Sequence, residues 1–232
     1  MVKKSDGISV VKQMDFGMIV GDSFAYAKDA IIGKWMQWLL LVIATIILCI
    51  PLLGYTLKVF RGEKPAPEVT NWGTLFIDGI KYIIVSIIWA IPCLIILFLA
   101  LGSFIAAIAS GDTSAAMGFI GGALIGLLIF VIVAILTALF ATIGIIRFAR
   151  TDRMGEAFNF GAILETIGKI GWGTYIIALI VLVIVQIIFS VIIGILSMIP
   201  FLGIIIELIL IAPLSIFEAR YLCQVYDAAG TA

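Results

Sequence analysis

Apolar residues in this chain fall into five long runs: Trp35–Phe60, Tyr82–Ala109, Ala116–Ile146, Thr174–Ile199 and Leu202–Phe217. A helix needs about 20 such residues to cross the hydrocarbon core of a bilayer. Ahead of three of the runs lie shorter stretches in which apolar positions recur every three or four residues. The first holds Phe16, Ile19, Val20, Phe24, Ala27 and Ile31, with Asp22, Lys28 and Asp29 among the polar positions. The second holds Trp72, Leu75, Phe76, Ile80 and Ile83, with Asp78 and Lys81 elsewhere. Phe160, Ile163, Leu164 and Ile167 form the third, opposed by Glu165 and Lys169. This is the period of amphipathic helices, of a kind that lies in a membrane interface.

Each amphipathic stretch opens on one triplet pattern: Asp15-Phe16-Gly17, Asn71-Trp72-Gly73 and Asn159-Phe160-Gly161. Three copies point to one structural unit used three times. The leading Asp15, Asn71 or Asn159 is a suitable helix N-cap, because its side chain accepts from free N–H groups of the first turn. The pattern predicts an all-α integral membrane fold with five to six membrane-inserted helices, built as three repeats of an interfacial amphipathic helix and a helical hairpin. A tail over 1–14 precedes a single membrane domain over 15–226, in units 15–61, 71–150 and 159–226, and a short tail over 227–232 follows.

Ile50-Pro51-Leu52-Leu53-Gly54 and Ile199-Pro200-Phe201-Leu202-Gly203 share an I-P-x-L-G pattern that reads as a hairpin tip or a strong kink. The middle unit reverses at Ser110–Ser114. The first unit is the tight one, since Leu52 to Arg61 reaches only about 15 Å as helix. Either it is a shallow, re-entrant hairpin covered by protein, or Trp35–Phe60 is one kinked span that places the N-terminus on the other side.

At 64% hydrophobic residues, 12% charged residues and a mean hydropathy of +1.30, the chain could not cover a water-soluble surface. No secretory leader is expected: some thirty mixed residues precede the first long apolar run, and Met14 offers a second start position. Lys and Arg number 14 and match 14 Asp and Glu, and no basic tail suggests nucleic acid. Positive residues gather before the first run and in the 58–81 and 147–172 loops, whereas the 110–116 and 198–203 turns have none. Short positive loops stay inside, so the triplet helices are expected on the cytoplasmic face of the cell membrane. Trp35, Trp38, Trp72 and Trp172 lie at the same ends, as an interfacial aromatic belt requires.

Candidate chemistry is sparse. Histidine is absent, and Cys49, Cys93 and Cys223 have neither disulfide nor metal-ligand spacing. Phosphate-binding loops, serine nucleophile motifs and paired carboxylates are missing, so no enzyme, cofactor or metal is predicted. Gly118, Gly122 and Gly126 form a small-residue stripe, with a weaker one at Gly102 and Ala106. Such stripes let helices approach closely in lipid, either within the hairpin or as a seam between copies. Glu207 is the one ionisable residue well inside an apolar run, with Gln186 mid-span in another; both are candidate intramembrane polar sites. Arg147, Arg150 and Arg153 read either as topology signals or as contacts to acidic lipid headgroups.

Met14-Asp15-Phe16-Gly17, Ile50-Pro51 followed by Gly54-Tyr55 and Arg61, and the loop carrying Asn71-Trp72-Gly73 resemble an uncharacterised, mainly archaeal family of multi-span membrane proteins, known only as a domain of unknown function. That family is distantly similar to the membrane domain of some glycerophosphodiester phosphodiesterases and to certain bacterial inner-membrane proteins. The resemblance covers most of residues 14–226 and implies a membrane location; it supplies no catalytic residues.

Three functional expectations follow. The leading one is a non-enzymatic membrane subunit that packs with copies of itself, as a homo-oligomer, or with other membrane proteins. The second is a transporter or channel for a small solute or ion, using Glu207 and Gln186. The third is a protein that shapes the bilayer by binding membrane lipids through its amphipathic helices.

Overall fold

The computed structural model describes residues 14–230 apart from Leu48, Asp112 and residues 199–201. The tail over residues 1–13, the Pro200 turn and the last two residues lie outside that set. The chain is all helical at 86% helix, with no strand among the described residues. Eight α-helices follow in order: α1 (Phe16–Ile31), α2 (Trp35–Ile46), α3 (Ile50–Phe60), α4 (Trp72–Ala109), α5 (Thr113–Thr151), α6 (Phe160–Ile170), α7 (Trp172–Leu196) and α8 (Leu202–Asp227). A 3-10 turn at Met154–Phe158 joins α5 to α6.

Helices α1, α4 and α6 each begin at the aromatic residue of a triplet. The Asp15 carboxylate accepts from the Met18 N–H at 3.0 Å, and the Asn159 amide oxygen from the Ala162 N–H at 3.2 Å. Asn71 departs from this pattern. It sits in the left-handed region at φ 55° and makes no side-chain cap bond, so α4 starts without one. The second amphipathic stretch is no separate interfacial helix either, because it runs straight on into the span as the first third of α4.

Among the described residues, three helices are long and apolar enough to cross a membrane: Trp72–Ala109, the Gly122–Thr151 part of α5, and Trp172–Leu196. A fourth is added if α1 and α2, bent by 98° at their junction, count as one broken span. The sequence pattern predicts five or six inserted helices, and the difference lies mostly in the first unit. Helices α2 and α3, with 12 and 11 residues, reach about 18 and 16 Å, roughly half of a 30 Å core. The Gln37 and Tyr55 side chains both reach the Pro67 carbonyl, so α2 and α3 lie side by side and do not run on as one kinked span. Helix α2 ends at Ile46 and α3 begins at Ile50, with Cys49 in the left-handed conformation at φ 60°. Pro51 lies in the first turn of α3, where its missing N–H leaves no helical bond unmade, and is not at the tip.

Gly54 faces α4 rather than a turn. A Cβ on Gly54 would strike the Leu75 carbonyl, and one on Gly79 the Ile50 carbonyl, so α3 and α4 cross antiparallel with their backbones in contact. The loop between them is pinned from both sides: the Gln37 amide and the Tyr55 hydroxyl donate to the Pro67 carbonyl at 3.0 and 2.8 Å. Helix α2 is tied to α8 through the Trp38 indole N–H, which donates to the Ile209 carbonyl at 3.2 Å.

The packed core sits at one end of the bundle, the base. It joins α1, α3, α6 and the end of α8 to the start of α4, the end of α5 and the start of α7. Tyr55, Leu75, Ile143, Phe148, Tyr175 and Tyr221 are all fully buried there. Away from the base, the α4–α5 and α7–α8 hairpins expose their apolar side chains: Phe98 is 71% exposed and Leu124 72%. Such surfaces are stable against hydrocarbon and unstable against water. The amphipathic stretches also bury much of their apolar faces in this core. Ile163 and Ile167 of α6, Leu75 of α4, and Ala27 and Ile31 of α1 are all buried. Phe160 and Leu164 remain exposed beside them.

Candidate functional site

Helical periodicity puts Ser215, Glu218, Ala219 and Leu222 on one face of α8. That face closes a cavity of about 270 Å³ against Leu53, Thr56 and Phe60 of α3, Tyr82 of α4, and Ala138, Ala141, Thr142 and Ile145 of α5. Glu218 is the one charged group in its lining. The Gln186 amide of α7 donates to Glu218 Oε2 at 2.9 Å.

The hydroxyls around the cavity share a common orientation. Thr56 donates to the Leu52 carbonyl at 3.0 Å, Thr142 to that of Ala138 at 2.8 Å, and Ser215 to that of Ile211 at 2.9 Å. Each proton goes to the residue one turn back on its own helix, which leaves the oxygen lone pairs for other partners. Glu218 has no arginine beside it within the cavity. Arg220, two residues on, points to the other side of α8, where its Nε and a terminal nitrogen donate to Asp22 Oδ2 at 3.1 and 2.8 Å. Its guanidinium also lies 5.1 Å from the Tyr26 ring centre.

Ion pairs hold the base around this cavity. Asp78 takes Arg61 at 2.8 Å and Lys81 at 3.6 Å, and both cations also approach Asp152. Arg147 meets Glu156 at 2.6 Å, and this bonded guanidinium holds the Glu156 carboxyl below its usual range. Arg150 donates to Asp227 and to the Phe60 carbonyl, each at 2.7 Å. Two of the three arginines expected to reach for lipid headgroups are thus engaged inside the chain, and Arg153 alone of the three is exposed. The physical reason is local: the 3-10 turn folds Glu156 back onto the end of α5, and the end of α8 brings Asp227 beside it.

Gln186 and Glu207 are not brought together. Glu207 is exposed on α8, eleven residues before Glu218, about 16 Å along the axis. The amide expected to serve with Glu207 bonds instead to Glu218, which the sequence reading passed over because the last apolar run ends at Phe217. A signal was present: counted back an equal distance on either side of residue 200, Gln186 falls near Ser215 and well past Glu207.

The glycine stripe of α5 has a different setting. Gly118, Gly122 and Gly126, with Ala106, Ser103 and Phe119, line an apolar groove of about 980 Å³ between the outer halves of α4 and α5. A Cβ on Gly102, Gly118, Gly122 or Gly126 would meet no heavy atom within 4 Å, so the two stripes do not close on each other within the hairpin. Gly54, Gly79 and Gly144 behave oppositely, each having backbone of a neighbouring segment in the way of a Cβ.

A family model described as a protein of unknown function, DUF4013, matches residues 38–198, well over half of the 232. The chain belongs to the DUF4013 family. The DUF4013 match takes in most of α2 and all of α3 to α7, so Thr56, Tyr82, Thr142 and Gln186 lie inside it. Helices α1 and α8 lie wholly outside it, with Asp22, Glu218 and Arg220. No curated protein and no solved structure matches this DUF4013 chain.

Proposed function

We propose that this chain is a non-enzymatic, multi-pass subunit of the cell membrane that self-associates through the outer half of α5, with its charged base on the cytoplasmic side. The contrast among its glycines carries the reading. Where helices of this chain touch backbone to backbone, a glycine makes the approach, as at Gly54, Gly79 and Gly144. Gly118, Gly122 and Gly126 are the same device with no partner among the described residues. A glycine inside a helix costs about 1 kcal/mol relative to alanine, and a close helix contact is what offsets it in lipid. A second copy laid along the stripe supplies that contact.

The same proposal reads the base as three units closed in sequence. The basic end of each return arm meets an acid at or near the start of another unit: Arg61 with Asp78, Arg147 with Glu156, and Arg220 with Asp22. Asp22 and Asp78 both stand seven residues after the first residue of their triplets.

Size in mild detergent tests the assembly. A complex well above the 25.0 kDa chain is expected, weakened by Gly122→Leu or Gly126→Leu while the monomer stays folded. A monomeric wild type, or a complex indifferent to both changes, defeats the reading. A second reading, handling of a small polar solute or ion, draws on one observation: Glu218, paired with Gln186, lines a partly open cavity with hydroxyls around it. Uptake into vesicles containing the purified protein, compared with Glu218→Gln, tests it; equal uptake by both would end it.

A further inference from the structure

We infer that the Glu218 cavity is a binding site for a small organic ammonium ion, with the nitrogen on Glu218 and a short alkyl chain against the apolar wall. The inference extends the second reading above to a ligand class, and concerns binding apart from passage across the membrane.

The chemistry of the lining decides the charge of the guest. One carboxylate faces the cavity, and no Lys or Arg lines it. Gln186 engages Oε2 of Glu218, which leaves Oε1 for another donor. The Thr56, Thr142 and Ser215 hydroxyls have each given their proton to a backbone carbonyl, so they offer lone pairs. Tyr82 lines the same space. A pocket that presents acceptors and a negative charge calls for a guest with N–H donors and a positive charge. A carboxylate kept from water needs a proton or a cation to neutralise it.

The size and the rest of the wall decide its form. At about 270 Å³ the cavity has room for a guest of several heavy atoms. A bare alkali ion would leave most of that space empty. Leu53, Ala138, Ala141, Ile145 and Leu222 supply an apolar side suited to a chain of a few carbons. An ammonium has three N–H donors, which match a carboxylate oxygen and two hydroxyls.

The test uses the full chain in mild detergent. Thermal unfolding is followed against n-butylammonium chloride, with sodium chloride and n-butanol at equal concentrations. A saturable rise in Tm with butylammonium alone is expected, and its loss in Glu218→Gln, which keeps the shape and can still pair with Gln186. A rise matched by sodium chloride or butanol, or one that persists in Glu218→Gln, overturns the inference. A second measurement needs no variant: a hydrophobic carbodiimide forms an N-acylurea on Glu218 of the wild type, and butylammonium protects it at least fivefold where sodium does not. Protection by sodium to the same extent assigns the cavity to alkali ions and overturns the organic ligand. Protection together with equal vesicle uptake by wild type and Glu218→Gln would uphold binding while ending the transport reading.

Discussion

Gly54 on α3 and Gly79 on α4 share one antiparallel crossing, and each lets its helix rest on the backbone of the other. The obstacles a Cβ would meet are the Leu75 and Ile50 carbonyls, which are parts of helices and cannot swing aside as a side-chain tip could. Gly54→Ala and Gly79→Ala should each destabilise the base by about 1–3 kcal/mol, the usual penalty of overpacking. Gly122→Ala, in open space, should leave stability unchanged or slightly raised. Thermal unfolding of the three variants in one detergent checks the contrast; a Gly54→Ala protein as stable as wild type would mean that the crossing is looser than described.

The Arg220–Asp22 pair is unequal, and its two halves should respond differently. The Arg220 side chain is 4% exposed and that of Asp22 49%. Removing Asp22 strands a buried guanidinium, at about 3–5 kcal/mol. Replacing Arg220 by Met leaves an acid that water can reach, and the methionine fills the same space. Asp22→Ala is therefore expected to unfold at clearly lower denaturant than Arg220→Met. The reverse order would count against the burial assigned to Arg220.

Acid should loosen the joint between α5 and α6. Bonding to Arg147 lowers the Glu156 carboxyl below its ordinary 4.5, and Lys169 does the same for Glu165. A group lowered on folding contributes stability that is complete above its unfolded value and lost as pH falls through its folded one. Wild-type Tm should thus fall below about pH 4.5, and fall less steeply in Glu156→Gln. Parallel curves for the two proteins would show that this pair carries no pH dependence.

Thiol reactivity gives a simple check on the core. Cys223 is fully buried, its thiol against the Val59 and Phe60 carbonyls at 3.1 and 3.4 Å, whereas Cys49 and Cys93 are only half-buried. Native protein treated with a maleimide should be modified at Cys49 or Cys93 and not at Cys223, with all three reacting after denaturation. Mass mapping reads this directly.

What could be read from the sequence was local. Trp72 starts α4 with no side-chain bond from Asn71, whereas Phe16 and Phe160 mark helix starts because the side-chain cap before each acts within one turn. The Ser110–Ser114 reversal was legible for the same reason, with Gly111 at φ 63°. The turn of the first unit was expected at Pro51–Gly54, a few residues late, because Pro51 and Gly54 are stronger local turn signals than Cys49. Their roles, an early helix turn and a helix crossing, depend on α4, which lies far along the chain. The cavity was hidden more deeply still. Glu218 stands just beyond an apolar run and looks like a surface residue until α3, α5 and α7 enclose it. The arginines' place along the chain was legible, whereas their partners Glu156 and Asp227 follow from how the base closes.

The salt bridge from α8 to α1 also sets an order of events during synthesis. Asp22 is made early and its partner follows 198 residues later, a delay of roughly 10–40 s at ~5–20 residues per second. Until then the inner face of α1, with Ser23 and the Ile19 carbonyl that Gln224 will later engage, has nothing from α8 to rest on. Helix α1 leaves the ribosome ahead of the other described helices yet is among the last of them to find its place, and a truncation just before Arg220 would leave an inserted protein whose base stays open.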